Sequence, residues 1–167
     1  MKGVRSLASL GTDETISRVV RQYSPMLLRL AATRLPSAAD AEDAVQEAFV
    51  KLLDRRPVFR DAEHEKAWLI RVTIQRAADL RRKKIRANET PLEDEIETCA
   101  PEPETEAELL SAVRALPEKY GAVIHLYYYE GYSTKEIAKL LGLPAPTVGT
   151  RLARGRERLR KMLKEDE

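Results

Sequence analysis

Apolar residues recur at helical spacing along most of this chain, and the stretches that break the rhythm are rich in Pro, Gly or charge. Asp13 stands as an N-cap ahead of Ile16, Val19, Val20 and Tyr23. Pro25 interrupts that run, which predicts a kink or a restart before Leu27, Leu28, Leu30 and Leu35. Pro36-Ser37 closes this element and opens the next, with Ser37 as N-cap. The second element carries a broad apolar stripe of Ala41, Ala44, Val45, Ala48, Phe49, Leu52 and Leu53. Residues 56–63 form a loop with one exposed aromatic, Phe59. A long helix follows over 63–86, with Trp68, Leu69, Val72 and Ala78 facing a core. After an acidic gap, Leu109, Leu110, Val113 and Leu116 predict a short helix ended by Leu116-Pro117. Glu118 to Tyr129 places Val123, Ile124, Leu126 and Tyr127 at core spacing, with Tyr120, Tyr128 and Tyr129 as half-buried caps.

The most informative stretch is YSTKEIAKLLGLPAPTVGTRLARGRERLR, residues 132–160. Ser133 followed by Glu136 is a capping box. Ile137, Leu140 and Leu141 give a short apolar face, and Gly142 stops the helix in the left-handed conformation. Pro144 and Pro146 fall where a first turn tolerates proline, because the N–H groups there lack helical partners. Val148, Leu152, Leu159 and Leu163 line the inner side of the helix they open. Thr147, Thr150, Arg151, Arg154, Arg156, Arg158 and Arg160 fall on its other faces. A capped helix, a Gly turn and an Arg/Thr-rich second helix form the pattern of a helix-turn-helix that reads a DNA major groove. An antiparallel helix pair with a solvated basic face is the bland alternative.

Charge divides the chain into three. Its net of +2 resolves into +7 over residues 1–88, −9 over 89–108 and +4 over 109–167. Two basic blocks around an acidic strip suggest two surfaces for a polyanion and a connector that avoids it. Residues 87–108 hold Pro and acid but almost no large apolar side chain, the composition of a flexible linker. The pattern therefore predicts an all-α chain of two small helical domains. They are residues 1–86 and 106–167, joined by a flexible acidic linker at 87–105, and the second contains the helix-turn-helix. The single cysteine, Cys99, excludes an internal disulfide and points to a reduced, cytoplasmic setting. No apolar run is long enough for a signal peptide or a membrane span.

Three groups are candidates for chemistry. Asp40, Asp43 and Glu47 share one outward face, with Gln46 and Lys51 beside it. Clustered carboxylates can hold a divalent cation, but no His or Cys and no facing acidic helix accompany them. First-turn acids are favoured by the helix dipole alone, and an acidic docking face is the other reading. Arg71, Arg76, Arg81, Arg82, Lys83, Lys84 and Arg86 load the end of the long helix with more cations than capping needs. They suggest a phosphate-tracking surface. Phe59 beside them suits stacking of unpaired bases, whereas Trp68 reads as core. His125, amid apolar neighbours and without a partner in view, reads as a satisfied or surface histidine.

The segments AEDAVQEAFVKLL, KAWLIRVTIQRAADLRRKK, ALPEKYGAVIHLYYYEGYSTKEIAKLLG and TVGTRLARGRERL together resemble a bacterial RNA polymerase sigma factor of the extracytoplasmic-function (ECF) type, within the sigma-70 family. The likeness covers nearly everything outside the linker. It implies a replaceable polymerase subunit with no catalysis of its own, no cofactor or metal, and no small-molecule substrate. Its partners would be core RNA polymerase, promoter DNA and an anti-sigma factor, all without membrane insertion. By this resemblance Asp40, Asp43, Gln46 and Glu47 contact core polymerase. Phe59, Arg71, Gln75, Arg76, Asp79, Arg82 and Lys83 serve minus-10 recognition and melting. Thr147, Thr150, Arg151 and Arg154 read the minus-35 element. The linker would thread along polymerase towards the RNA exit path.

The chain departs from the family pattern in four places: Gln75 stands where Asn is usual, Gly149 where a polar residue is usual and Gly155 where Ala is usual, and Ala145-Pro146 stiffens the entry to the second helix. Two other classes remain open on residues alone. A stand-alone helix-turn-helix regulator would need a dimer interface to match a palindrome. A metal-dependent nuclease would use Asp40, Asp43 and Glu47.

Overall fold

Ser37 and Ser133 begin helices for the same reason: each hydroxyl accepts the otherwise orphaned N–H three residues on. In the computed structural model, which describes residues 13–87 and 106–164, Ser37 takes Asp40 N–H at 3.4 Å and Ser133 takes Glu136 N–H at 3.2 Å. The Glu136 carboxylate returns to Ser133 N–H at 2.8 Å and completes the capping box. The described residues form seven α-helices and no strand. They are α1 (Asp13–Ala32), α2 (Ala38–Arg55), α3 (Ala62–Arg86), α4 (Glu106–Ala115), α5 (Glu118–Ile124), α6 (Thr134–Leu141) and α7 (Ala145–Lys164). A π-helical turn, His125–Tyr129, extends α5. The predicted linker and Cys99 fall almost wholly outside the described residues.

Helices α1, α2 and α3 pack together around Leu27, Leu30, Leu35, Leu69 and Ile70, all 2% exposed or less. Helix α1 runs through Pro25 without the predicted restart. Arg18 and Glu65 bind side by side through two contacts of 3.3 Å, tying α1 to α3. Burial raises the Tyr23 hydroxyl above its ordinary pKa, and Glu65 adds to the shift.

Helices α4 to α7 form a second unit around Val113, Val123, Ile124, Leu126, Ile137 and Val148. Gly155 lets α7 lie against α5: a Cβ there would sit 3.0 Å from Ile124 Cγ1 and 3.3 Å from Tyr120 Cβ. Gly142 ends α6 at φ 64°, the left-handed conformation the turn requires.

The two units meet along a polar seam. Arg34 at the end of α1 and Arg81 of α3 hold opposite oxygens of Glu118, at 2.8 and 2.9 Å. Arg81 also donates to the Arg34 carbonyl at 3.3 Å. Burial lowers the Arg34 pKa, Glu118 opposes the shift, and Arg151 and Arg81 add to it. Farther along, Lys66 of α3 meets Glu130 at 2.9 Å and lies over the Tyr132 ring. Burial opposes ionisation of Glu130, but His125 and Lys66 outweigh it and bring the carboxyl down to about 2.

Several side chains lie elsewhere than their spacing implies. Phe59 is 4% exposed, with its ring against His64 and Trp68, so the loop aromatic is a core residue. Leu53 is exposed on the outer side of α2, beside Val50. Tyr127 and Tyr128 are exposed, because the π-helical turn changes the pitch after Ile124, and Tyr120, ahead of that turn in α5, is buried. His125 is fully buried, stacked on Tyr129, with Nε2 3.4 Å from Glu130 Oε1.

Candidate nucleic-acid interface

Helix α7 separates its two chemistries by face. Val148 and Leu152 point inward and are 2% exposed or less. Thr147, Thr150, Arg151 and Arg154 follow at i, i+3, i+4 and i+7, one stripe of the same helix. Thr150 and Arg154 are exposed, and Thr147 and Arg151 are half-buried. All four line one open cavity of about 360 Å³, together with Pro146, Lys119 and Tyr120. Gly149, on the neighbouring face, has open space where a side chain would stand.

A second exposed stripe runs along α3. Arg71, Gln75, Asp79, Arg82 and Lys83 are all exposed and recur every three or four residues. Asp79 pairs with Arg82 inside the stripe. Arg76, grouped with them by sequence, turns instead to α2 and meets Asp43 at 3.1 Å. Lys84 pairs with Asp40, and Arg81 is held by Glu118. Three of the seven cations thus serve the fold, and Arg71, Arg82, Lys83 and Arg86 remain on the surface. Phe59 lies in the core under the start of α3, apart from this stripe.

On α2, Asp43 and Gln46 are exposed, and Asp40 and Glu47 are half-buried. Val50 and Leu53 extend that face with apolar surface, 47% and 39% exposed. Among the described residues, no group of three His, Cys, Asp or Glu is arranged to hold a metal ion. Among them too, no helix is long and apolar enough to cross a membrane.

These surfaces coincide with two known families of domain. Residues 19–87 match Sigma-70 region 2, and residues 106–159 match Sigma-70, region 4. The chain is 31% identical over 158 residues to the RNA polymerase sigma factor SigV of Bacillus subtilis, covering 93% of this chain and 95% of that one. It is 33% identical over 156 residues to the ECF RNA polymerase sigma factor SigE of Mycolicibacterium smegmatis, covering 87% of this chain and 60% of that relative's length.

The chain belongs to the ECF sigma factors of the sigma-70 family.

Its fold is shared with the solved sigma factor RpoE of Bartonella quintana, crystallised with the anti-sigma factor NepR, at a TM-score of 0.68 and 21% identity. That match covers 92% of this chain and 99% of the other. Within this sigma factor, region 2 holds the α2 and α3 stripes and region 4 holds the α7 stripe. Sequence reasoning missed Lys119 and Tyr120, which wall the cavity from α5. Their distance along the chain from Arg154 hid them, although the pairing of a Lys with a Tyr just after Pro117 was a usable signal.

Proposed function

We propose that this sigma factor binds core RNA polymerase and directs transcription from its own promoters. The observation that carries the reading is the match of both regions in one chain, each with an exposed stripe of DNA-compatible side chains. In this reading residues 1–86 form the domain that binds polymerase and opens the minus-10 element, 87–105 form the linker, and 106–167 form the minus-35 domain.

On α7, Arg151 and Arg154 supply bidentate donors to guanine or phosphate, and Thr147 and Thr150 fit against base edges or thymine methyl groups. On α3, Arg71, Gln75, Arg82 and Lys83 hold a separated strand, with Asp79 setting the pose of Arg82. Arg76 orients this face through Asp43 and does not face the strand. Phe59 supports the loop from beneath, since its ring is unavailable to a base. Asp43, Gln46 and Glu47 contact polymerase, with Asp40 held by Lys84 and exposed Val50 and Leu53 adding apolar area. The protein performs no catalysis in this reading and works in the cytoplasm, where polymerase is. Control by an anti-sigma factor belongs to the same proposal.

The deciding experiment is transcription in vitro with purified core polymerase on fragmented genomic DNA, with start sites mapped. Specific starts that appear only with this protein are expected. Failure to bind core polymerase would refute the reading. A stand-alone regulator would instead give a symmetrical dimer on a palindromic site, which sedimentation of the protein–DNA complex distinguishes.

A further inference from the structure

The cavity beside α7 is built from two elements, only one of which belongs to the helix-turn-helix. Thr147, Thr150, Arg151 and Arg154 come from α7, and Lys119 and Tyr120 come from the first turn of α5. Three cations and three hydroxyls line it, and no carboxylate does. The Tyr120 hydroxyl shares the cavity with Lys119 and Arg154, both of which favour its ionised form. Its ring carries the Lys119 ammonium at 5.1 Å and the Arg158 guanidinium at 5.1 Å.

We propose that this cavity seats a backbone phosphate of the duplex lying along α7, held by Lys119 and the Tyr120 hydroxyl together with Arg151 and Arg154. The inference rests on the promoter-reading function and extends its DNA site to α5.

The lining selects a phosphate over a base or a nucleoside. No carboxylate is present to accept from an exocyclic amine. The one aromatic surface already lies against Lys119 and Arg158, so no base can stack there. Lysine is a point charge on a flexible stem, which suits phosphate better than a base edge. Most of the first-turn backbone of α7 is not offered to the anion. Thr147 and Val148 N–H both donate to the Pro144 carbonyl, at 3.0 and 3.2 Å, and Pro146 has no N–H. Thr150 Oγ1 donates to the Pro146 carbonyl at 3.1 Å, which leaves Thr147 as the α7 hydroxyl for the ligand.

Tyr120 contributes most through polarisation. Burial acts to raise its pKa, but Lys119, Arg154 and Arg158 outweigh burial and hold it below its ordinary value. A phenol so polarised is a stronger donor to an anion.

The test uses holoenzyme reconstituted with core polymerase and a duplex carrying a mapped promoter, with affinity measured across a salt series. Lys119→Ala is expected to weaken binding about tenfold and to reduce the slope of log K against log salt by about 1. The loss should be the same factor on a duplex with a changed minus-35 sequence, because a phosphate contact carries no base information. Tyr120→Phe keeps the Cβ that packs at Gly155 and the ring beside Lys119 and Arg158, and should cost about threefold. Lys164→Ala, an exposed charge at the far end of α7, should leave the slope unchanged. An unchanged slope in Lys119→Ala, a loss confined to particular base changes, or an equal slope change in Lys164→Ala would overturn the inference. If wild-type holoenzyme binds and Lys119→Ala matches it, only this inference falls. If wild-type holoenzyme fails on every promoter, the sigma-factor function falls as well.

Discussion

Helices α3 and α7 are both long and basic, yet they use their charges differently. In α3, Arg76, Arg81 and Lys84 reach Asp43, Glu118 and Asp40. In α7, none of Arg151, Arg154, Arg156, Arg158 or Arg160 has a carboxylate within ion-pair distance among the described residues. Tyrosines brace three of them instead. Arg154 and Arg158 meet Tyr120, and Arg156 Nη1 donates to Tyr128 Oη at 3.0 Å. A carboxylate neutralises the cation it orients, whereas a phenol orients it and leaves its charge available. The α3 cations thus divide between fold and surface, while the α7 cations keep their full field for DNA.

The contrast can be broken most severely at the fit of α7 on α5. Gly155→Leu drives a side chain into Ile124 and Tyr120. It should cost more than about 3 kcal/mol in urea unfolding and abolish minus-35 binding. Next comes the seam. Glu118→Ala leaves Arg34 and Arg81 without their shared anion and should cost about 2 kcal/mol, discounted from a fully buried pair because the carboxylate is 22% exposed. Small-angle scattering should then show a larger radius of gyration, with the helical content unchanged.

Acid titration probes the same seam at Glu130. Its folded pKa, about 2, is below its ordinary 4.5, so its contribution is complete above 4.5 and is lost as pH falls towards 2. In the Glu130→Gln variant, chemical denaturation should show a shallower loss of stability across that window.

The α3 comparison is finer. Arg71→Ala should weaken open-complex DNA binding about fivefold with little change in melting temperature. Arg76→Ala should lower stability by about 0.5 kcal/mol through Asp43 and change DNA binding less. An effect of similar size but opposite sign is expected at Arg56, which closes α2 at φ 45°. Arg56→Gly should raise stability by about 0.5–1 kcal/mol in thermal unfolding, because glycine takes that conformation without strain.

What the sequence made legible was local. Ser37, the Ser133–Glu136 box and Gly142 act within a turn of where they stand, and each behaves as its residue type predicts. The α7 stripe was also visible, because it follows from helical spacing alone. The departures are all tertiary. Phe59 reads as a loop residue until Trp68 and His64 fold over it. Leu53 fits the apolar stripe of α2, but no neighbouring helix covers it. Arg76 and Arg81 look like free phosphate ligands because Asp43 and Glu118 lie far away along the chain. The cavity wall at Lys119 and Tyr120 was hidden for the same reason.

The pitch change at His125–Tyr129 has a consequence for evolution as well as for structure. Glu130 N–H reaches back five residues to the His125 carbonyl, so this turn holds one residue more than an α-helix would. Because the extra residue is taken up within one wider turn, removing Tyr127 would restore the regular ladder and leave α6 and α7 nearly in place relative to α5. The reading head would keep its angle to the double helix. A single residue can therefore be gained or lost at this turn at less cost than within the regular part of α5 or α7.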